Sequence, residues 1–189
     1  KLVFQYLEKS VLTGDPEARE KIHNASTMAG MAFANAFLGM SHSMAHKIGG
    51  RFHTVHGRTN AILLPYVIRY NGTRPSKTTT WPKYNYWKAD EKFQDIARML
   101  GLPHSTPEEA VAAYAKAVYE LGEKVGIKMN FKDQGIDEQE WKKYTHELAL
   151  LAYEDQCSPA NPRLPMVADM EEIMNDAYYG YKERPGRIK

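Results

Sequence analysis

Apolar side chains recur along this chain at helical spacing, between clear start and stop signals. Residues 1–11, KLVFQYLEKSV, read as an amphipathic helix met part-way along. Asp15-Pro16 supplies an N-cap and a proline at the first helical position, where the missing N–H costs nothing. A long helical segment is expected from there. Within it, residues 25–40, ASTMAGMAFANAFLGM, are small or apolar on nearly every side, the pattern of a helix buried all round. Gly49-Gly50 is expected to end that segment. Residues 58–71, RTNAILLPYVIRYN, predict a further buried helix, bent near Pro65. Residues 71–89 carry turn chemistry and read as a long surface connection.

Asp90–Leu100 predicts a short amphipathic helix closed by Gly101. Thr106-Pro107-Glu108-Glu109 is a capping-box sequence opening a helix to about Gly126, and Asp137-Glu138-Gln139-Glu140 repeats the logic with Asp as cap. The second of these helices is expected to turn Trp141, Tyr144, Leu148 and Leu151 to a core. Residues 158–165, SPANPRLP, form a proline-bounded loop in which Asn161-Pro162-Arg163 fixes a turn that docks the last helix. That helix, MVADMEEIMNDAYYG, ends at Gly180, and residues 181–189 read as a loose tail. No stretch sustains period-2 alternation, so the expected class is all-α, one helical domain over residues 1–189.

Composition narrows the function. The chain has 189 residues, 43% hydrophobic and 25% charged, with a net charge of +2. That balance gives no case for nucleic acid, which calls for a concentrated basic face. The lone cysteine, Cys157, admits no internal disulfide and fits a reducing, cytoplasmic compartment. No apolar run is long enough to cross a bilayer, and no leader peptide is visible. The opening at Lys1 suggests a chain whose N-terminal portion lies elsewhere.

The chemistry lies in residues 39–57, GMSHSMAHKIGGRFHTVHG. Four of the seven histidines (His42, His46, His53, His56) fall within fifteen residues. His42 and His46 are four apart on a helix, so their rings share one face. His56 follows the Gly49-Gly50 break, where the chain can fold back over that face, with Gly57 allowing close backbone approach. Spacing alone offers both His42 and His46 to one metal ion, and imidazole does not choose among Zn, Fe, Ni and Cu. HSMAH has the outline of the zinc-protease H-E-x-x-H, but Ser43 stands where the catalytic carboxylate would be, which argues against proteolysis. His23, His104 and His146 read as hydrogen-bonded core residues. Cys157 reads as structural.

The segment GMAFANAFLGMSHSMAHKIGGRFHTVHGRTNAILLPYVIRYN resembles the signature of the iron-dependent (group III) alcohol dehydrogenases. The stretch AYEDQCSPANPRLPMVADMEEIMNDAYYG is similar to one branch of them, the bifunctional aldehyde-alcohol dehydrogenases. The resemblance runs from about Asp15 to Tyr179 and implies the C-terminal helical domain of that fold. Departures are Ser41, where the family often has Cys or another residue, and Val55, where it usually has Pro. Val55 could loosen the turn that presents His56.

What the resemblance implies is specific. His42 and His56 match two of the four metal ligands; the other two, an Asp and a His one helical turn apart, would precede Lys1. His46 matches the histidine beside the nicotinamide and substrate, so the resemblance splits the i, i+4 pair between metal and reaction. His53 gets no firm role, near-site or structural. The implied cofactors are Fe(II), with Zn possible, and NAD(H). No glycine-rich phosphate-binding turn occurs here, so no cofactor-binding residue is assigned. The implied reaction interconverts acetaldehyde and ethanol, or similar short primary alcohols, by hydride transfer to and from C4 of the nicotinamide. Phe52, Met40, Met44 and Phe37 would help exclude water. The isolated chain is expected to be inactive without the N-terminal dinucleotide-binding domain. Homo-oligomers or filaments are the expected assembly of the longer protein, and a metal-free helical assembly module is the alternative function.

Overall fold

The computed structural model describes residues 1–75 and 87–180. Eight α-helices follow one another among the described residues, with no strand: α1 Leu2–Thr13, α2 Pro16–Ala36, α3 Met40–Phe52, α4 His56–Gly72, α5 Ala89–Leu100, α6 Pro107–Lys124, α7 Glu138–Tyr153 and α8 Val167–Tyr179. A short 3-10 turn, Ser158–Ala160, links α7 to α8. The connection expected at 71–89 falls largely, and the tail at 181–189 wholly, outside the described residues.

The caps read from sequence are in place. Asp15 accepts from Ala18 N at 2.8 Å, and Asp137 accepts from Gln139 N and Glu140 N. Thr106 accepts from Glu109 N at 3.2 Å, but the Glu109 carboxylate returns to Ser105 N rather than to the cap residue itself. Each such cap satisfies helix N–H groups that have no partner within the helix.

Helix α4 is the centre of the molecule. With α3, α7 and α8 it encloses the main core, built on Met40, Met44, Ile48, Ile62, Leu63, Tyr66, Leu148, Met170 and Met174. Trp141 is fully buried there, its ring between those of Phe131 and Tyr178 at 5.3 and 4.8 Å. On its other side α4 packs with α5 and α6 around Ile68, Val111 and Ala115. Aromatic stacking and buried methionines together make the main core the firm base of the α3–α4 corner.

Four expectations about the helices fail. The segment opened by Asp15-Pro16 breaks at Phe37-Leu38-Gly39, so α2 and α3 are separate helices. Gly49 and Gly50 do not end it but lie inside α3, where Met44 and Ile48 hold the helix in the core; the stop comes at His53, in the left-handed region at φ 55°. The apolar stretch 25–40 is not buried all round: Met40 is buried, but Met28, Met31, Phe33 and Phe37 stand in solvent. The pattern there marks apolar side chains left exposed on α2 among the described residues. Leu151, expected in the core, is 41% exposed on the outer face of α7.

Candidate metal centre

Helix α3 begins with the N–H groups of its first turn turned to two acceptors. Gly39 O accepts from His42 N at 3.0 Å, and Asn161 Oδ1 accepts from Met40 N at 3.2 Å. A Cβ at Gly39 would stand 2.8 Å from that same Oδ1, so glycine is what lets the carboxamide in. His42 and His46 then follow one turn apart, the first half-buried and the second exposed, with ring centroids 6.1 Å apart.

The corner between α3 and α4 is fixed by threonines. Thr54 Oγ1 and Thr59 Oγ1 are 2.6 Å apart, and Thr59 Oγ1 donates to Val55 O. This brings His56, the first residue of α4, back over α3. Its ring centroid lies 5.3 Å from that of His42 and 5.5 Å from that of His46. Gly57, expected to allow close approach here, has nothing near its missing Cβ; the fold-back depends on the threonine pair instead. Phe33, at the C-terminal end of α2, adds a tilted ring 6.5 Å from His42.

The three rings differ in their partners. Burial, then the neighbouring His56 and His46 rings, hold the His42 pKa below its ordinary 6.5. It is therefore neutral at pH 7, the form that ligates metal. His56 Nε2 lies 3.2 Å from Asn60 Nδ2. Asn60 also donates to His56 O and accepts from Ser41 Oγ at 3.0 Å, which fixes its amide orientation. An amide N–H facing Nε2 keeps the lone pair on that nitrogen. His46 Nδ1 lies 3.2 Å from Asp155 Oδ2.

His53 does not join this group. It caps α3 and turns to an open cleft of about 520 Å³ shared with Arg51, Arg58, Asp137 and Glu140. His104 is half-buried on Leu102 O as a structural histidine should be. His146 and His23 are not core residues: His146 pairs with Glu171 at the surface, and His23 is exposed. Of the residues expected to exclude water, Met40 and Met44 are buried behind the site, Phe52 stacks on Trp141, and Phe37 is exposed.

The fit to a metal ion rests on donors and distance. Bonds from a metal to imidazole nitrogen are about 2.0–2.1 Å. Two rings with centroids 5.3 Å apart, one neutral and the other with its lone pair kept at Nε2, are close enough that both would reach one ion. The trio His46, Asp155 and Cys157 also brings possible ligand atoms within 4.8 Å of one another. There, however, the Lys47 ammonium already sits 2.9 Å from Asp155 Oδ2. Burial, together with the hydrogen bond to Asp155, pushes the Cys157 thiol up to about 11. The carboxylate of this trio is thus already held by the Lys47 ammonium.

Comparison with known proteins gives the family. The family described as "Fe-containing alcohol dehydrogenase family, C-terminal" matches residues 1–178. This chain belongs to the iron-containing alcohol dehydrogenase family. Among the family's curated members it is 79% identical, over all its 189 residues, to an aldehyde-alcohol dehydrogenase of Streptococcus pneumoniae strain D39, covering 21% of that protein. It is 41% identical over 187 residues to the bifunctional aldehyde-alcohol dehydrogenase of Escherichia coli K12, matching 95% of this chain and 21% of that one. An iron-containing alcohol dehydrogenase from Thermococcus thioreducens superposes with a TM-score of 0.77 at 33% identity, covering 95% of this chain and 42% of that structure. The chain thus spans about a fifth of the length of these curated family members. The all-helical class and the C-terminal placement expected from sequence agree with both comparisons. No helix among the described residues is long and apolar enough to cross a membrane.

Sequence reasoning found the three rings but not their supports. Asn60 lies one turn beyond His56 in a stretch read only as buried helix. Asp155 and Asn161 are distant in sequence from what they hold; the local turn chemistry marks Asn161 but not its hold on α3.

Proposed function

We propose that this chain is the metal-holding helical part of an NAD(H)-linked alcohol dehydrogenase that interconverts short primary alcohols and aldehydes, acetaldehyde and ethanol foremost. The observation that carries this is the convergence of His42, His46 and His56 at one corner in a chain of this family. His42 and His56 hold Fe(II), with Zn as the other candidate, and two further ligands come from residues outside this chain. When bound, the ion supplies Lewis acidity that lowers the pKa of an alcohol hydroxyl. His46 accepts and returns the hydroxyl proton at Nε2. Ser41 and Asn60 orient His56, and buried Met40 and Met44 keep water from the back of the site. The dinucleotide is bound by a domain outside these residues, so the isolated chain does not turn over substrate.

The test is anaerobic loading with Fe(II) and elemental analysis, beside the His42→Ala/His56→Ala variant. Uptake by the chain and none by the variant is the expected result. Equal uptake by both would overturn the assignment.

A second reading has one observation behind it. Met28, Met31, Phe33 and Phe37 line the exposed side of α2 and the segment after it. Apolar surface of this kind marks interaction sites. In that reading the chain is a metal-free assembly module of a filament-forming aldehyde-alcohol dehydrogenase. Sedimentation showing concentration-dependent association untouched by the two histidine substitutions, together with no metal uptake, is its signature.

A further inference from the structure

Of the three rings at the corner, His46 is the one tied to a carboxylate. Asp155 stands on the turn after α7, 109 residues further along the chain, and its side chain is only 7% exposed. Both of its oxygens are engaged. Oδ1 accepts from Cys157 N at 3.0 Å. Oδ2 takes the Lys47 ammonium at 2.9 Å and faces His46 Nδ1 at 3.2 Å. The turn that carries the carboxylate is pinned in its own right, because Ser158 Oγ bonds Ala152 O at 2.6 Å and Ser43 Oγ of α3 at 2.9 Å.

An ionised carboxylate can only accept hydrogen bonds. Asp155 is ionised: burial pushes its pKa up, but the Cys157 N–H, the Lys47 ammonium and the His46 ring outweigh that and hold it well below the usual carboxylate range. The nitrogen of His46 that faces it must therefore carry the ring proton. A neutral imidazole has one proton, so its other nitrogen is left with a lone pair.

We infer that Asp155 is a positioning residue that fixes His46 as the Nδ1–H tautomer, leaving Nε2 an acceptor beside the His42 and His56 rings. This deepens the proposed function and rests on it for what Nε2 then does, which is to take a hydroxyl proton from an alcohol. The physical logic is that of any acid that orients a catalytic imidazole: the carboxylate stays ionised, and its work is to select the tautomer and steady the ring. Lys47 serves a different purpose. Its ammonium shares Oδ2 and binds the turn to α3, so it supports the carboxylate without touching the imidazole.

That division separates a tautomer role from a purely structural one. The readout is the location of the proton on His46, from long-range proton–nitrogen correlation spectra of the 15N-histidine-labelled chain at about pH 8, where imidazoles are neutral. The His46→Gln variant assigns the signal. The chain is expected to show Nδ1–H. Asp155→Ala is expected to abolish that preference, shifting most of the population to Nε2–H, while Lys47→Met keeps Nδ1–H. If Asp155→Ala does not fold, Asp155→Asn replaces it, and at least half of the Nδ1–H population should be lost. Nε2–H in the unsubstituted chain would overturn the inference, as would Nδ1–H unchanged on loss of the carboxylate. Metal uptake is measured separately, so a chain that binds no ion still decides the tautomer, and failure of one reading is distinguishable from failure of the other.

Discussion

The carboxamide of Asn161 caps the helix that begins at Met40, across 121 residues of chain. The same side chain exchanges hydrogen bonds with the Asn71 amide and donates to Arg163 O. Arg163 in turn lays its guanidinium over the Tyr70 ring at 4.0 Å and donates to Tyr70 O and Thr73 O at the end of α4. The loop before α8 therefore fixes the start of one histidine-bearing helix and the end of the other.

Asn161→Ala removes this capping acceptor and strands buried partners on Asn71 and Arg163. Lost caps and unpaired buried polar groups each cost on the order of 1–2 kcal/mol, so a total loss of about 2–4 kcal/mol is expected. Urea unfolding followed by far-ultraviolet circular dichroism measures it. A loss within 0.5 kcal/mol, the ordinary range for surface substitutions, would mean the loop is only draped over the helices.

Trp141 anchors the aromatic stack beneath the corner and donates from Nε1 to Asn175 Oδ1 at 3.0 Å. Trp141→Ala should cost about 3–5 kcal/mol through the cavity it leaves. Trp141→Phe keeps most of the stack and should cost clearly less. Equal losses in thermal unfolding would assign the stability to the hydrogen bond rather than to ring packing.

Two glycines predict opposite signs. At Gly122 an added methyl would collide with the Met129 side chain, so Gly122→Ala should destabilise by about 1–3 kcal/mol. At Gly30, within α2, nothing lies within 4 Å of the added carbon. Gly30→Ala should therefore stabilise by about 0.5–1 kcal/mol through helix propensity alone. Parallel melting curves of the two variants check both at once, and the same sign in both would contradict the packing described.

Cys157 is fully buried, with its thiol pKa raised from 9.0 to about 11. In the native state at neutral pH it should resist alkylation by iodoacetamide, and react once urea unfolds the chain. The unfolded chain releases the thiol proton first. This contribution to stability is accordingly complete below pH 9, declines as pH rises above it, and is gone near 11. Cys157→Ala should flatten that part of the pH profile. Rapid native labelling would contradict the burial.

Local signals in the sequence carry the helix starts, for a physical reason. Asp15, Thr106 and Asp137 act on N–H groups two or three residues away, so cap and helix start lie in one short window. The His42–His46 pair is equally local, as helical periodicity alone sets it. Where the outcome depended on tertiary contacts, the sequence misled. Gly49-Gly50 looks like a terminus, yet Met44 and Ile48 carry the helix through it. The real break at Phe37 sits at φ 63°, a conformation that its side chain does not advertise. Residues 25–36 show an appetite for burial without naming the surface that satisfies it. Asp155 carries no local signal, and Asn161, read only as part of a turn, gains its capping role only when α3 lies alongside.

On the proposed assignment of His42 and His56 as ligands, the threonine-locked corner makes them a chelating pair. Once the first imidazole captures an ion, the second meets it as a tethered neighbour rather than as a solute, at an effective concentration that for short links is on the order of millimolar or higher. Because the Thr54–Thr59 contact has already frozen the link, little further entropy is lost in closing it. An ion that lets go of one ring is recaptured before it diffuses away. With His42 and His56 as the proposed ligands, the corner would work as a two-pronged claw, retaining its ion longer than two separate histidines would.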